Sequence, residues 1–158
     1  VIHPAPSAEH KWLERYLGDW TYSSECPDEK GGPPMKFEGQ ETFRKVGDLW
    51  VQGEGRGRMP GGGEAVMLTT IGFDPARGKF VGTWVGSMMS HLWNYEGWLE
   101  GDDTLILEAS GPVMGDPSRT TRYRDCARFE RGTRHFWSMM LQDDGAWKQI
   151  MSMEYKRA

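Results

Sequence analysis

The spacing of apolar positions changes once near the start of the chain and then keeps one period to the end. Trp12, Leu13, Tyr16 and Leu17 recur at helical spacing, with Lys11, Glu14 and Arg15 falling elsewhere. Ser7 is placed to cap this segment, Glu9 lies in its first turn, and Gly18 closes it. The pattern predicts one short amphipathic helix after a loose tail, Val1 to Pro6. Such a helix does not hold in water alone, so its apolar face must lie against something else.

From Asp19 the period is two. Trp20, Tyr22 and Ser24 face one way, and Thr21, Ser23 and Glu25 the other. After a Gly/Pro loop, Pro27 to Pro34, strands are predicted over Phe37–Val46, Leu49–Gly57, Ala65–Phe73, Lys79–Gly86 and Leu92–Leu99. Four more follow at Thr104–Ala109, Arg119–Glu130, Thr133–Leu141 and Ala146–Tyr155. Turn chemistry separates them, as in Gly47-Asp48, Asp74-Pro75-Ala76-Arg77-Gly78 and Arg131-Gly132, with longer loops expected at Arg58–Glu64 and Gly111–Pro117. No helical pattern interrupts the series. The expected fold is therefore all-β: an antiparallel up-and-down barrel of about ten strands, closed because open edges are a liability, with the short N-terminal α-helix against one end or side. Residues 1–6 are expected as a tail and 7–158 as one barrel domain.

The densest chemistry falls on one hairpin, Gly82 to Gly97. Trp84, Met88, Met89, His91, Trp93 and Tyr95 gather there, and they are the candidate lining of a ligand pocket, provided that the Ser87-Met88-Met89-Ser90 turn lies at the open rim. Glu54, Arg56 and Arg124 are the polar candidates. Trp recurs on strand after strand (Trp20, Trp50, Trp84, Trp93, Trp98, Trp137, Trp147), which suggests a lumen filled by rings. Alternation puts Arg122, Arg124 and Arg128 on one face and Tyr123, Asp125, Ala127 and Phe129 on the other; a solvated outer face with acidic partners across the strand suits the arginines. Trp147, Gln149, Met151, Met153 and Tyr155 share a parity, and read as a lumen lining with one amide or a core with one satisfied Gln.

Composition narrows the function classes. A chain of 158 residues with 27% charged and 37% hydrophobic residues is globular and has length for one domain. Its net charge of -4 argues against a general nucleic-acid binder. No apolar run approaches the ~18 residues of a membrane span, and no secretory leader pattern is visible. Cys26 and Cys126 form no Cys-x-x-Cys; free thiols in a reducing cytoplasm are expected, a single bridge being the other reading. His3, His10, His91 and His135 show no metal-ligand spacing, so neither metal nor cofactor is expected. Gly53-Glu54-Gly55-Arg56-Gly57-Arg58 and Gly61-Gly62-Gly63 match no phosphate-binding loop, and Gly-x-Ser-x-Gly is absent.

Several segments together carry a resemblance. They are Glu9-His10-Lys11-Trp12-Leu13, Leu17-Gly18-Asp19-Trp20-Thr21, Leu49-Trp50-Val51, Gly72-Phe73-Asp74-Pro75, Phe80-Val81-Gly82-Thr83-Trp84 and Leu92-Trp93-Asn94-Tyr95-Glu96-Gly97. The chain resembles the bacterial family catalogued as domain of unknown function 1579, placed among lipocalin-like barrels, from Glu9 to Arg157. The resemblance implies a calycin-like barrel with an N-terminal helix and brings no activity. The nitrobindin barrel, which holds haem through a His, is a more distant likeness in architecture; the last strand here has no His. The expected function is non-enzymatic binding of a small, largely apolar ligand in the lumen. One alternative is a small barrel enzyme using His91 with a carboxylate. Another is a structural or homodimer-forming barrel with a self-filled core.

Overall fold

The computed structural model describes residues 4–26, 31–59 and 61–158. Parts of the expected tail and of the loops at 27–34 and 58–64 therefore lie outside the described residues, as does the side chain of Cys26. A short helix, α1 (Ala8–Trp12), runs into a 3-10 turn (Leu13–Tyr16). Ten strands follow: β1 (Gly18–Cys26), β2 (Met35–Val46), β3 (Trp50–Arg58), β4 (Glu64–Asp74), β5 (Lys79–Gly86), β6 (Trp93–Glu100), β7 (Thr104–Val113), β8 (Asp116–Glu130), β9 (Thr133–Leu141) and β10 (Trp147–Arg157). Each pairs antiparallel with its sequence neighbours, and β1 pairs with β10 to close the barrel.

The helix forms where expected and ends earlier as α-helix. Ser7 caps it: its Oγ accepts from the His10 backbone N–H, and its own N–H donates to His10 Nδ1 at 2.9 Å. That bond leaves the proton of a neutral His10 on Nε2, which donates to the Phe73 carbonyl at 3.0 Å. Trp12 Nε1 donates to the Asp102 carbonyl and Trp20 Nε1 to the Tyr16 carbonyl, both at 2.7 Å. These bonds clamp the helical segment across one end of the barrel. The tighter 3-10 turn brings Leu13 and Tyr16 over the opening beside Trp12, where all three are buried. Gly18, at φ 109°, then turns the chain into β1.

Three expectations are corrected. The loop foreseen at Gly111–Pro117 is strand on both sides of a turn at Met114-Gly115; a register shift at Pro112/Val113 lets the prolines sit where a regular ladder would reject them. A second shift, between Gln149 and Met151, splits the parity of the last strand. Met151, Met153 and Tyr155 pair across from inward positions, whereas Trp147 and Gln149 pair with outward Leu141 and Met139. Finally, the lumen is not lined by every strand Trp. Trp20, Trp84 and Trp93 point in, and Trp50, Trp98, Trp137 and Trp147 point out. On the outer wall, Trp98 and Trp147 hold the Arg124 guanidinium at 5.4 and 4.2 Å from their ring centroids.

Candidate functional site

Inward-facing side chains divide the lumen in two. At the helix-capped end Leu13, Trp20, Val51, Ile71, Phe80 and Leu105 are each at most 3% exposed. Rings pack there, with Phe129 edge to face against Tyr16 at 4.8 Å and Trp12 at 5.5 Å, and Tyr16 tilted against Phe43 at 4.9 Å. Towards the other end Met67, Trp84, Trp93, Phe136, Met140 and Met153 face inward and keep accessible surface. The β5–β6 turn lies at this end, opposite the helix, as the sequence reading required.

Four of the predicted hairpin residues build one wall of the open end. The inward positions of β7 shrink along the strand through Leu105, Leu107, Ala109 and Gly111. A Cβ at Gly111 would overlap the Trp93 ring, so the indole of β6 lies across β7 and meets Tyr123 of β8 edge to face at 5.0 Å. Tyr95 reaches over the same strand, where Ala109 leaves room, and its hydroxyl donates to Asp125. Trp84 pairs with Trp93 across β5–β6. His91 sits at the rim, with Nε2 bonded to the Ser110 carbonyl at 3.0 Å and its ring edge-on to Trp93 at 4.7 Å. Met89 Sδ accepts from Trp93 Nε1 at 3.1 Å, and Met88 and Met89 are 39% and 45% exposed on the turn.

Glu54, Arg56 and Arg124 are not brought to the lumen. Gly53, Gly55 and Gly57 take the inward positions of β3; the rings of Phe43 and Tyr22 occupy the space a side chain would need at Gly53 and Gly57, and Gly55 faces Met67 and Glu41. Glu54 and Arg56 therefore point out, where Arg56 bridges Glu54 at 2.9 Å and Glu64 at 2.7 Å. All three are at least half exposed, and such pairs add little stability. Arg124 faces out beside Arg122, each paired with Glu108 (3.9 and 3.2 Å) across β7–β8, so the arginine-rich face is the outer one.

Two polar groups face the lumen, an ion pair that the sequence did not single out and an aspartate that was one possible carboxylate partner for His91. The first is an ion pair: Arg134 Nη2 donates to Glu41, with side-chain exposures of 4% and 11%. Its guanidinium is stacked on Tyr155, Trp20 and Tyr16 at 3.9, 4.8 and 5.0 Å. The second is Asp125, whose Oδ1 accepts from Ser138 Oγ at 2.6 Å and whose Oδ2 accepts from Tyr95. Burial raises its carboxyl above the usual carboxylate range, while the two hydroxyl donors hold it down. Burial and the neighbouring Asp125 charge also push the Tyr95 phenol well up. Each carboxylate was marked in the sequence by parity alone, as an acidic residue on an apolar face. Cys126 is a free, buried thiol pushed up to about 12, chiefly by burial.

The barrel wall is incomplete at one seam. Strand β1 pairs with β2 along Gly18–Cys26, yet with β10 only along Trp20–Ser23. Beyond Ser23 the ladder gives way to a side-chain bond, Ser24 Oγ donating to the Ser152 carbonyl at 2.5 Å, and a depression of about 580 Å³ lies over this stretch. Ser24, Phe37, Phe136 and Met153 line it from inward positions, and Trp137, Gln149 and Ser152 from outward ones. Among the described residues no three His, Cys, Asp or Glu side chains come together to hold a metal ion. No helix among them is long and apolar enough to cross a membrane.

Comparison with known proteins supplies a family and a fold. Residues 5–157 match the family described as "Protein of unknown function (DUF1579)". No curated protein matches. Among solved structures, the chain is similar to Rv2717c from M. tuberculosis, at 13% identity over 98% of this chain and 99% of that one, with a TM-score of 0.65. Two further barrels match with a TM-score of 0.49: a redesigned beta barrel (12% identity, 96% of this chain and 99% of that one) and EF1p2_mFAP2b bound to DFHBI (13% identity, 94% and 98%).

Proposed function

Given that this chain belongs to the DUF1579 family, described as being of unknown function, we propose from its geometry that it is a lipocalin-like carrier which binds a small, largely apolar molecule in the open end of the lumen. One observation carries the reading. Inward-facing Met67, Trp84, Trp93, Met140 and Met153 retain accessible surface at the end away from the helix, where a filled barrel would bury them. Apolar surface inside a concave wall is stabilised by covering it, at about 25 cal/mol per Å². Methionines suit the task because their unbranched, polarisable chains adapt to a guest. The seam between β1 and β10 offers a second, lateral way in beside the rim. The acid–base alternative has less support, since the bonded partner of His91 is the Ser110 carbonyl.

Native mass spectrometry of freshly purified protein, together with Trp fluorescence titrations against lipids, haem and aromatic acids, tests the reading. A co-purified species of small mass, or saturable quenching at one equivalent, is the expected outcome. The absence of both would refute the carrier function.

A further inference from the structure

We propose that the molecule held in the lumen is an organic cation: an ammonium whose nitrogen pairs with the Asp125 carboxylate and whose aromatic or alkyl body lies against Trp84, Trp93 and Met140. This rests on the carrier reading and adds the charge of the ligand to it.

Asp125 lies among apolar neighbours. It sits on the inward face of β8 among Tyr123, Ala127 and Phe129, and it keeps accessible surface there. The space it faces is the lumen. Its two hydrogen bonds come from neutral hydroxyls, Tyr95 at one oxygen and Ser138 at the other. They orient the carboxylate and leave its charge uncompensated, for no ion pair with Asp125 exists among the described residues. A half-buried carboxylate without a cation is a standing cost, which an incoming ammonium relieves.

The charge on the other lumen group points the same way. Arg134 is matched by Glu41 and enclosed by Tyr16, Trp20 and Tyr155; its Nη1 has no acceptor and no access to solvent, so an anionic guest would have to displace those rings to reach it. An anion elsewhere in the lumen would meet Asp125 unscreened. Tyr95, whose hydroxyl bonds Asp125, and Tyr123, two residues along the same face, bring rings to this part of the lumen, and a ring quadrupole attracts a cation. Burial, which lifts the Asp125 carboxyl above its usual range, is the cost the pairing would offset.

The experiment uses three probes with one apolar body: naphthylmethylamine as its ammonium, naphthylmethanol and naphthoate, titrated into the full chain near neutral pH by calorimetry. The ammonium is expected to bind at least about tenfold tighter than the alcohol, with naphthoate weakest. Asp125→Asn is expected to erase the preference for ammonium over alcohol. Equal binding of ammonium and alcohol, or tightest binding of naphthoate, overturns the proposal while leaving the carrier reading in place. Failure of all three probes to bind overturns the carrier reading and this inference with it. The wild-type ranking decides the question even if Asp125→Asn does not fold.

Discussion

The two ends of this barrel are built from the same strands and differ in what the strands point at. At the capped end, Trp12, Leu13 and Tyr16 meet inward rings from β1, β2, β5 and β8, and the buried side chains leave little surface to cover. At the open end, inward Trp84, Trp93, Met140 and Met153 have no helix above them and stay partly exposed. Closure gives every strand two neighbours, and this ladder does not require both ends of the lumen to be filled. The capped end can therefore carry stability while the open end keeps accessible apolar surface.

Truncations to Ala at the two ends test this division. Trp20→Ala is expected to cost about 3–5 kcal/mol in urea unfolding, the range for emptying a packed aromatic site. Met140→Ala, on a partly exposed side chain, should cost about 1 kcal/mol or less. Equal losses at the two sites would erase the distinction.

Arg134→Met comes next, with an expected loss of about 3 kcal/mol, since Glu41 is left buried without its partner. Adding Glu41→Gln should recover part of that loss. Recovery in the double variant is the signature of a buried pair, and a strictly additive loss would argue against it.

A smaller effect is expected at Gly111. A side chain there collides with the Trp93 indole, so Gly111→Val should cost about 1–3 kcal/mol and alter the near-UV circular dichroism of the Trp93–Tyr123 pair. An unchanged spectrum would mean that Trp93 does not lie across β7.

The smallest effect belongs to Asp125, and its sign is the readout. Burial raises its carboxyl in the folded state, so the folded chain takes up that proton at a higher pH than the unfolded chain. The stability of wild type relative to Asp125→Asn should then be greatest below the ordinary carboxylate range and fall as pH rises through the raised folded value. Difference curves of Tm against pH check this. A wild type that gains on Asp125→Asn as pH rises would show the carboxylate to be compensated after all.

How far the sequence could be read follows from the range of each interaction. Strand alternation and turn residues are local, so the barrel, the helix cap at Ser7 and the outward arginines of β8 were legible. Register shifts are not: nothing local marks the break between Gln149 and Met151, and it moved Trp147 from the expected lining to the outer wall. The prolines at 112 and 117 suggested a loop because a regular ladder excludes them, and only the bulge beside them shows otherwise. Glu54 and Arg56 alternate with Gly53, Gly55 and Gly57, and nothing local says which set faces the lumen. The rings of Tyr22 and Phe43, from strands earlier in the chain, claim that space. Glu41 and Arg134 are 93 residues apart, and their pairing depends on closure of the barrel.

The central claim is that the open end admits an apolar guest. Nile red, neutral and fluorescent in apolar surroundings, tests it most directly when titrated into wild type and into Met140→Trp, a substitution that fills the space above Tyr123. The account predicts saturable binding at one equivalent by wild type, lost in Met140→Trp while that variant unfolds at an equal or higher temperature. No saturable binding by wild type, or binding that survives in the filled variant, would contradict it.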